Sequence, residues 1–243
     1  MKKIAVVTGA TRGIGLAISQ KLSQDGFFIV GISRADNQEA NDSWVNSLSN
    51  DCRLFKCDVT SLLAVEEMIA KINELEGSVH LLVNNAGITS DSFFHKMTLE
   101  SWKSVIDTNL NSLFYITQPI YKIMKENGGG KIINISSVNG QKGQAGQVNY
   151  SSSKAGVHGF TMALAQEGAR SNILVNTISP GYTNTEMMKN IRVDILQGIK
   201  DNIPLGRLAE PKEIANVASF LASDCCSYIT GANIPVNGGL FIG

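Results

Sequence analysis

Ile4-Ala5-Val6-Val7-Thr8-Gly9-Ala10-Thr11-Arg12-Gly13-Ile14-Gly15 is the stretch that decides the fold. Ile4 to Val7 is a short apolar run of the kind found in strands buried on both faces. After Gly15, the residues Leu16, Ala17, Ile18 and Leu22 take up helical spacing. Strand, glycine turn and helix, in that order, turn a weak glycine pattern into a dinucleotide site. Gly9 permits the tight turn, Gly13 lets backbone approach a pyrophosphate, and Gly15 lets helix and strand pack closely. Thr11, Arg12 and Ile14 complete the turn, and the helix N-terminus offers N–H donors to phosphates. The spacing is G-x-x-x-G-x-G rather than G-x-G-x-x-G. A glycine-rich helix start without a ligand therefore stays open on this stretch alone.

The same alternation continues outward. Gly26 to Ile32 reads as a second strand ending in Ser33-Arg34. An acidic residue there would bind both ribose hydroxyls; Arg34, helped by Ser33 and by Arg12, suits a 2′-phosphate instead. NADP(H) is thus expected over NAD, with Asp36 close behind opposing that choice. Trp44, Val45 and Leu48 mark a helix within residues 37–50. Arg53 to Lys56 is a third strand, followed by Asp58 and Val59, with Asp58 placed to accept from an adenine amino group. Ser61 to Leu75 is a helix whose expected buried face is Leu62, Val65, Met68, Ile69 and Ile72. Val79 to Val83 is a fourth strand, with His80 structural. It stops at Asn84-Asn85-Ala86-Gly87, small enough to pass under a cofactor. Thr98 caps a long helix to Asn127, where Pro119 is expected to force a kink or a local adjustment. Asn109, in the apolar middle of that helix, must find partners, either a water near the site or a neighbouring strand.

Lys131 to Ser136 and Ile173 to Ile178 are the fifth and sixth strands, the latter leading to Pro180, Gly181, Tyr182 and Thr183. Residues 184–206 are polar and Met-bearing, and 186–206 are expected to form a substrate lid. A helix from Glu210-Pro211 to Ser223 and a strand from Asn233 to Val236 close the series. Strands and helices alternate without a linker or repeat, which implies one doubly wound α/β domain of Rossmann type over residues 1–243, with a parallel sheet of about seven strands. Ligands belong at the carboxyl ends of those strands, where the topology switches.

At 243 residues and 43% hydrophobic, the chain is large enough for one sizeable core. Lysine plus arginine and aspartate plus glutamate balance at 21 each, which argues against nucleic acid or an anionic membrane as a partner. No apolar run approaches a membrane span, and the apolar part after Met1-Lys2-Lys3 is too short for a signal peptide. A cytoplasmic location is expected. Cys52, Cys57, Cys225 and Cys226 show no zinc spacing with histidine and are read as free thiols, so no metal is expected.

The fifth strand opens onto Ser137-Val138-Asn139-Gly140-Gln141-Lys142-Gly143-Gln144-Ala145-Gly146-Gln147-Val148-Asn149-Tyr150 and then, one turn on, Lys154. Tyr150 and Lys154 share a helix face. An ammonium beside a phenol is expected to lower its pKa and make it a proton donor near neutrality. Ser137 can bond the same substrate oxygen. Taken by spacing alone, the set is equally a polar loop and a solvated pair. Its coincidence with the glycine turn, Arg34, Asp58, Asn85 and Pro180-Gly181 at the strand ends favours a catalytic set. The helix beyond, rich in small residues, suggests an oligomer interface.

The sequence resembles the short-chain dehydrogenase/reductase family over its whole length, carried by Thr8 to Gly15, Asn84-Asn85-Ala86-Gly87, Asn109, Ser137, Tyr150 with Lys154, and Pro180-Gly181. The resemblance implies a nicotinamide cofactor, a homotetramer, catalysis by Ser137, Tyr150, Lys154 and Asn109, and a relay water anchored at Asn109. Within the family it is most similar to the reductases of acetoacetyl-CoA in polyhydroxybutyrate synthesis, and next to 3-oxoacyl-[acyl-carrier-protein] reductases. The first kinship implies acetoacetyl-CoA or another short 3-oxoacyl thioester as substrate, facing Asp91, Ser137, Gln144, Ala145, Gly146, Gln147, Tyr150 and Tyr182. Where the carrier-protein enzymes dock an acidic partner with basic residues, this chain has Gly128 and Ser171. Its first turn is closer to theirs. A non-catalytic NADP-binding sensor is the rival of a different class, and such proteins usually lose the tyrosine or the lysine, both present here.

Overall fold

The computed structural model describes residues 2–35, 37–188 and 192–243. Asp36, and residues 189–191 of the expected lid, lie outside the described residues. β1 (Lys3–Thr8) is exposed only at Lys3, as a strand covered by helices on both faces must be. It is followed by α1 (Gly13–Gln24), β2 (Phe28–Ser33), α2 (Gln38–Asn46), β3 (Cys52–Lys56), α3 (Leu62–Asn73) and β4 (Ser78–Asn84). The second half holds α4 (Leu99–Ile106), α5 (Ser112–Glu126), β5 (Gly130–Ile135), the short α6 (Asn139–Lys142), α7 (Val148–Gly168), β6 (Ile173–Pro180), α8 (Val193–Asp201), α9 (Pro211–Ala222) and β7 (Asn233–Val236). The seven strands form one sheet in the order β3-β2-β1-β4-β5-β6-β7, and every pairing is parallel. The order turns back between β1 and β4, which opens a crevice above their carboxyl ends.

Successive residues of each strand feed opposite core layers. Val6, Val30, Leu82, Ile132 and Val175 pack under α3, α5 and α7. Val7, Ile29, Leu81, Val83, Ile133 and Ile178 pack under α1, α2 and α9. A buried polar chain crosses the first layer. Asn84 Nδ2 donates to Thr117 Oγ1 and to Asn134 Oδ1, and Asn134 Nδ2 donates to Thr161 Oγ1. Thr177 joins Thr161 at 2.7 Å. These bonds satisfy groups whose desolvation would otherwise oppose folding, and they fix α5 and α7 on the centre of the sheet.

Two sequence expectations need correction. Leu62 is 53% exposed, because it is the first residue of α3 with no preceding helical turn to cover it, while Val65, Met68, Ile69 and Ile72 further along the helix are buried. The irregularity expected at Pro119 lies instead at Asp107–Asn111, a π-turn between α4 and α5, while α5 runs on through Pro119. A π-turn marks a helix that has yielded to a local demand, and here that demand is the bonding of Asn109.

Gly31 lets β2 pass beneath α2. A Cβ there would lie 2.6 Å from the Trp44 ring and 2.9 Å from Leu54. Trp44 is buried, and its indole N–H donates to Ala10 O at 2.9 Å, bracing the glycine turn. Gly31→Ala is therefore expected to cost about 1–3 kcal/mol in urea denaturation. It should also speed amide hydrogen exchange across Gly9 to Gly15, since displacing Trp44 releases the turn.

Candidate active site

The glycine turn is fixed by close contact. A Cβ on Gly15 would overlap Gly9 O and lie 2.5 Å from Asn85 Nδ2. Gly9 and Gly13 have φ of 64° and 55°, a region that favours glycine. The start of α1 has no side-chain cap from Arg12 and no acidic residue in its first turn. Its amide donors and dipole are thus left to an anion, which is the fit a dinucleotide pyrophosphate requires. Thr11 Oγ1 meets Ser33 Oγ at 3.3 Å, joining this turn to the end of β2. Ile14 packs into the core beneath it.

Asn85 joins β1 to β4. Its N–H and that of Ala86 both donate to Thr8 Oγ1, and its Nδ2 donates to Thr8 O and Gly9 O. Thr8 is a positioning residue the sequence reading passed over, since a threonine closing a strand carries no distinctive spacing. Arg12 and Arg34 are exposed at the crevice rim. Asp58 is half in contact with solvent. Burial pushes its carboxyl up, but the bonds from Thr60 N–H and hydroxyl and the charge of Arg34 outweigh that and hold it below the ordinary value. The Val59 side chain belongs to the core, leaving its backbone to face a ligand.

Across the switch point, α7 carries Tyr150 and Lys154 on one face, with Lys154 Nζ 5.8 Å from the phenol ring centroid. Lys154 is buried and donates to Ile135 O at 2.8 Å. Ser136 Oγ donates to Lys154 O, and a Cβ on Gly140 would lie 2.7 Å from the Lys154 carbonyl carbon. The end of β5, α6 and α7 are thereby clasped together. A Cβ on Gly87 would stand 3.5 Å from Lys154 Nζ and 3.3 Å from Asn109 Oδ1, so the Asn85-Ala86-Gly87 segment runs directly past the ammonium.

The expected lowering of the Tyr150 pKa by Lys154 does not hold in the cofactor-free protein. Burial pushes the phenol up, and a hydrogen bond with Ser137 pulls the other way without prevailing. The charge of Asp91 raises it further. Spacing places the ammonium beside the phenol but says nothing of how dry both groups are. A phenol so held keeps its proton at neutral pH.

Asn109 is likewise occupied. Its Nδ2 donates to Ile88 O and to Ser153 Oγ, and its Oδ1 accepts from Ile88 N–H at 2.8 Å. The side chain clamps the backbone that follows Gly87. Any water at this turn would rest on main-chain groups.

The expected substrate residues fall on facing loops. Ser92 N–H donates to Gly146 O, Asn149 Nδ2 donates to Ser90 O, and Gln147 Nε2 donates to Asp91 Oδ2 at 2.8 Å. Asn139 Nδ2 donates to Gln147 Oε1 at 2.9 Å, and Asn139 N–H donates to Ser137 Oγ at 3.1 Å. Asn139 had no sequence signal. Gln144 accepts from Lys142. A cleft of about 490 Å³ is lined by Lys142, Gln144, Tyr182, Ile199 and Leu240 among others. Ser137 and Tyr150 do not line it, although Asp91 acts electrostatically on Tyr182 as well as on Tyr150. Ala145, exposed, and Gly146, partly buried with φ 81°, form the bend before α7. Pro180 O accepts from Val138 N–H at 2.8 Å, and Gly181 lies so close to Asn237 that a Cβ would reach 2.8 Å from its Cα. Thr183 is buried and donates to Gly181 O.

A family model described as enoyl-(acyl carrier protein) reductase matches residues 9–241. The chain belongs to the short-chain dehydrogenase/reductase family of nicotinamide-dependent oxidoreductases. It is 48% identical over 245 residues, covering all of both chains, to the acetoacetyl-CoA reductase of Allochromatium vinosum. It is 46% identical to the acetoacetyl-CoA reductase of Cupriavidus necator, over 100% of this chain and 99% of that one. To the 3-oxoacyl-[acyl-carrier-protein] reductase of Haemophilus influenzae it is 41% identical, over 99% and 98%. No helix among the described residues is long and apolar enough to cross a membrane.

Burial lowers the Lys154 pKa from its ordinary 10.5 to about 8. Between those values an unfolded chain holds a proton that the native chain has released, so native stability rises with pH through that window. Below it, the buried charge costs roughly 3 kcal/mol. Lys154→Met is therefore expected to stabilise the protein by about 1–2 kcal/mol at pH 7. In urea denaturation the gain should shrink toward zero as the pH approaches 10.5.

Proposed function

We propose that the chain reduces acetoacetyl-CoA, or another short 3-oxoacyl thioester, to the (3R)-3-hydroxyacyl thioester with NADPH, feeding polyhydroxybutyrate synthesis. The observation that carries this reading is the meeting, at one sheet edge, of a phosphate-ready helix start, a buried ammonium and a phenol that keeps its proton. The names of the full-length relatives support the substrate.

The nicotinamide supplies a hydride to C3 of the substrate. Tyr150 gives its proton to the oxygen that gains charge there, and the resulting phenolate is held by the Lys154 ammonium. Ser137 accepts from Asn139 N–H, so its own hydrogen remains for the substrate oxygen or Tyr150. Gly9, Thr11, Arg12, Gly13, Ile14, Gly15, Asn85, Ala86, Gly87, Pro180, Gly181 and Thr183 cradle the cofactor. Asp58 and the Val59 backbone hold its adenine, and Arg34 holds its 2′-phosphate. Asp91, Gln144, Ala145, Gly146, Gln147 and Tyr182 receive the thioester arm. The carbonyl groups of the π-turn at Asn109 anchor a water that restores the proton through Lys154. Residues 186–188 and 192–206 close over the cleft, and residues 1–243 act as one NADP-binding domain in the cytoplasm. The chain assembles as a homotetramer, in support of which Phe114 of α5 and Met162 of the small-residue-rich α7 stand more than half exposed.

Tyr150→Phe is expected to reduce turnover of acetoacetyl-CoA by at least about a thousandfold while NADPH affinity stays within a few-fold. Retained turnover would remove Tyr150 from the mechanism. Acetoacetyl-CoA should exceed acetoacetyl-carrier protein in kcat/KM; the reverse order would assign the chain to fatty acid synthesis. Arg34→Ala should raise the KM for NADPH about tenfold or more, with NADH little changed. Equal effects on both would refute the 2′-phosphate role.

A further inference from the structure

Tyr150, Lys154 and His158 stand four residues apart on α7, one turn above another on the same face. The first two belong to the site just described. His158 lies one turn deeper and is partly buried, with Nε2 3.2 Å from Ser179 Oγ. Ser179 is fully buried and donates its one hydroxyl hydrogen to Asn233 Oδ1 at 2.7 Å. Its oxygen can therefore only accept from the imidazole, and this fixes the His158 proton on Nε2. A second proton on Nδ1 is opposed by burial and by the charge of Lys154.

Ser179 immediately precedes Pro180-Gly181. The carbonyls on either side of it are used by the catalytic loop, since Ser136 N–H donates to Ile178 O and Val138 N–H donates to Pro180 O, both at 2.8 Å. On the other flank, Lys154 ties α7 to the end of β5 through Ile135 O. Three bodies meet here: the helix with Tyr150 and Lys154, the strand end with Ser137, and the strand end with the cofactor turn. Two of their three junctions are the bonds just named. The third, at the level of the site, is His158 with Ser179, extended to β7 by Asn233.

We propose that His158 is a positioning residue that sets the distance between the helix carrying Tyr150 and Lys154 and the strand end carrying Pro180-Gly181. This rests on the reductase reading for its kinetic effect but not for its effect on cofactor affinity. A neutral imidazole suits the place because it is rigid, donates in one direction, and adds no second positive charge beside Lys154.

The test compares His158→Leu, which fills the space without a donor, with His158→Gln, whose amide N–H can reach the same acceptor. The Leu variant is expected to bind NADPH several-fold more weakly, read by its fluorescence, and to lose about tenfold in kcat with acetoacetyl-CoA, while the KM for that thioester changes little. The Gln variant should recover most of both. Should the Leu variant not fold, Ser179→Ala removes the same bond from the other side and should show the same two losses. The proposal is overturned if NADPH affinity and kcat of a folded Leu or Ser179→Ala variant stay within twofold of the parent, or if Gln and Leu variants lose equally. NADPH affinity does not depend on which thioester is reduced, so a wrong substrate and a wrong role for His158 give different results.

Discussion

A single buried ammonium governs how α7 packs on the sheet. Lys154 is 4% exposed, and a charge so placed must find a partner and have room. Its partner is the last carbonyl of β5, which requires α7 to lie close over the sheet edge. That approach depends on residues with nothing to obstruct it. Gly140 lies against the Lys154 main chain, Gly87 against its ammonium, and Ser136 grips its carbonyl. The density of serine, alanine and glycine in α7 has its explanation in this approach as much as in any contact between subunits.

The nucleotide half obeys a different constraint, the closeness of backbone to backbone. Gly9, Gly15 and the Asn85 amide occupy a space where any additional carbon would overlap its neighbour. Asn85 and Thr8 then bind the end of β4 to the end of β1 with four hydrogen bonds. The segment leaving that junction passes Lys154 and is clamped by Asn109 at Ile88, which is where the two halves become one site. Past Ile88 the chain meets the 144–149 loop through Asp91 and Gln147. The 144–147 side of the crevice is thus held by polar contacts and the glycine-turn side by steric ones.

The parallel sheet was legible because its central strands are short, largely apolar runs, with β1, β4 and β6 ending in glycine, asparagine or proline turns; β3, which carries Arg53 and Lys56, was legible from its place in the alternation. Boundaries shifted by a residue or two at most strands. The order of the site residues along the strand ends was legible for the same reason: once strands alternate with helices, their carboxyl ends must meet. The remainder depended on tertiary facts that spacing does not carry. Leu62 has the period of a buried face but sits at the very start of its helix. Asn109 sets the helix irregularity, not Pro119, since the amide's two bonds to Ile88 decide where the helix must open. The phenol of Tyr150 responds to the dryness around it more than to its neighbour's charge. Asn139, Thr8 and His158 are ordinary residues until the fold gives them partners.

β7 is short, only Asn233–Val236, and only partly buried, yet it bears on the order in which the site can mature. From β5 onward each strand pairs beside the one before it, so β1, β2 and β4 can pair before the last strands of the chain arrive, while α9 and Asn109 come later to complete the cover of α1 and the clamp at Ile88. The seat of Gly181 against Asn237 and the anchoring of Ser179 on Asn233 need its final residues. During synthesis those three strands can pair while the floor under Gly181 is still missing. The seat of Gly181 is thereby the last part of the strand-end crevice to be set in place as the chain leaves the ribosome.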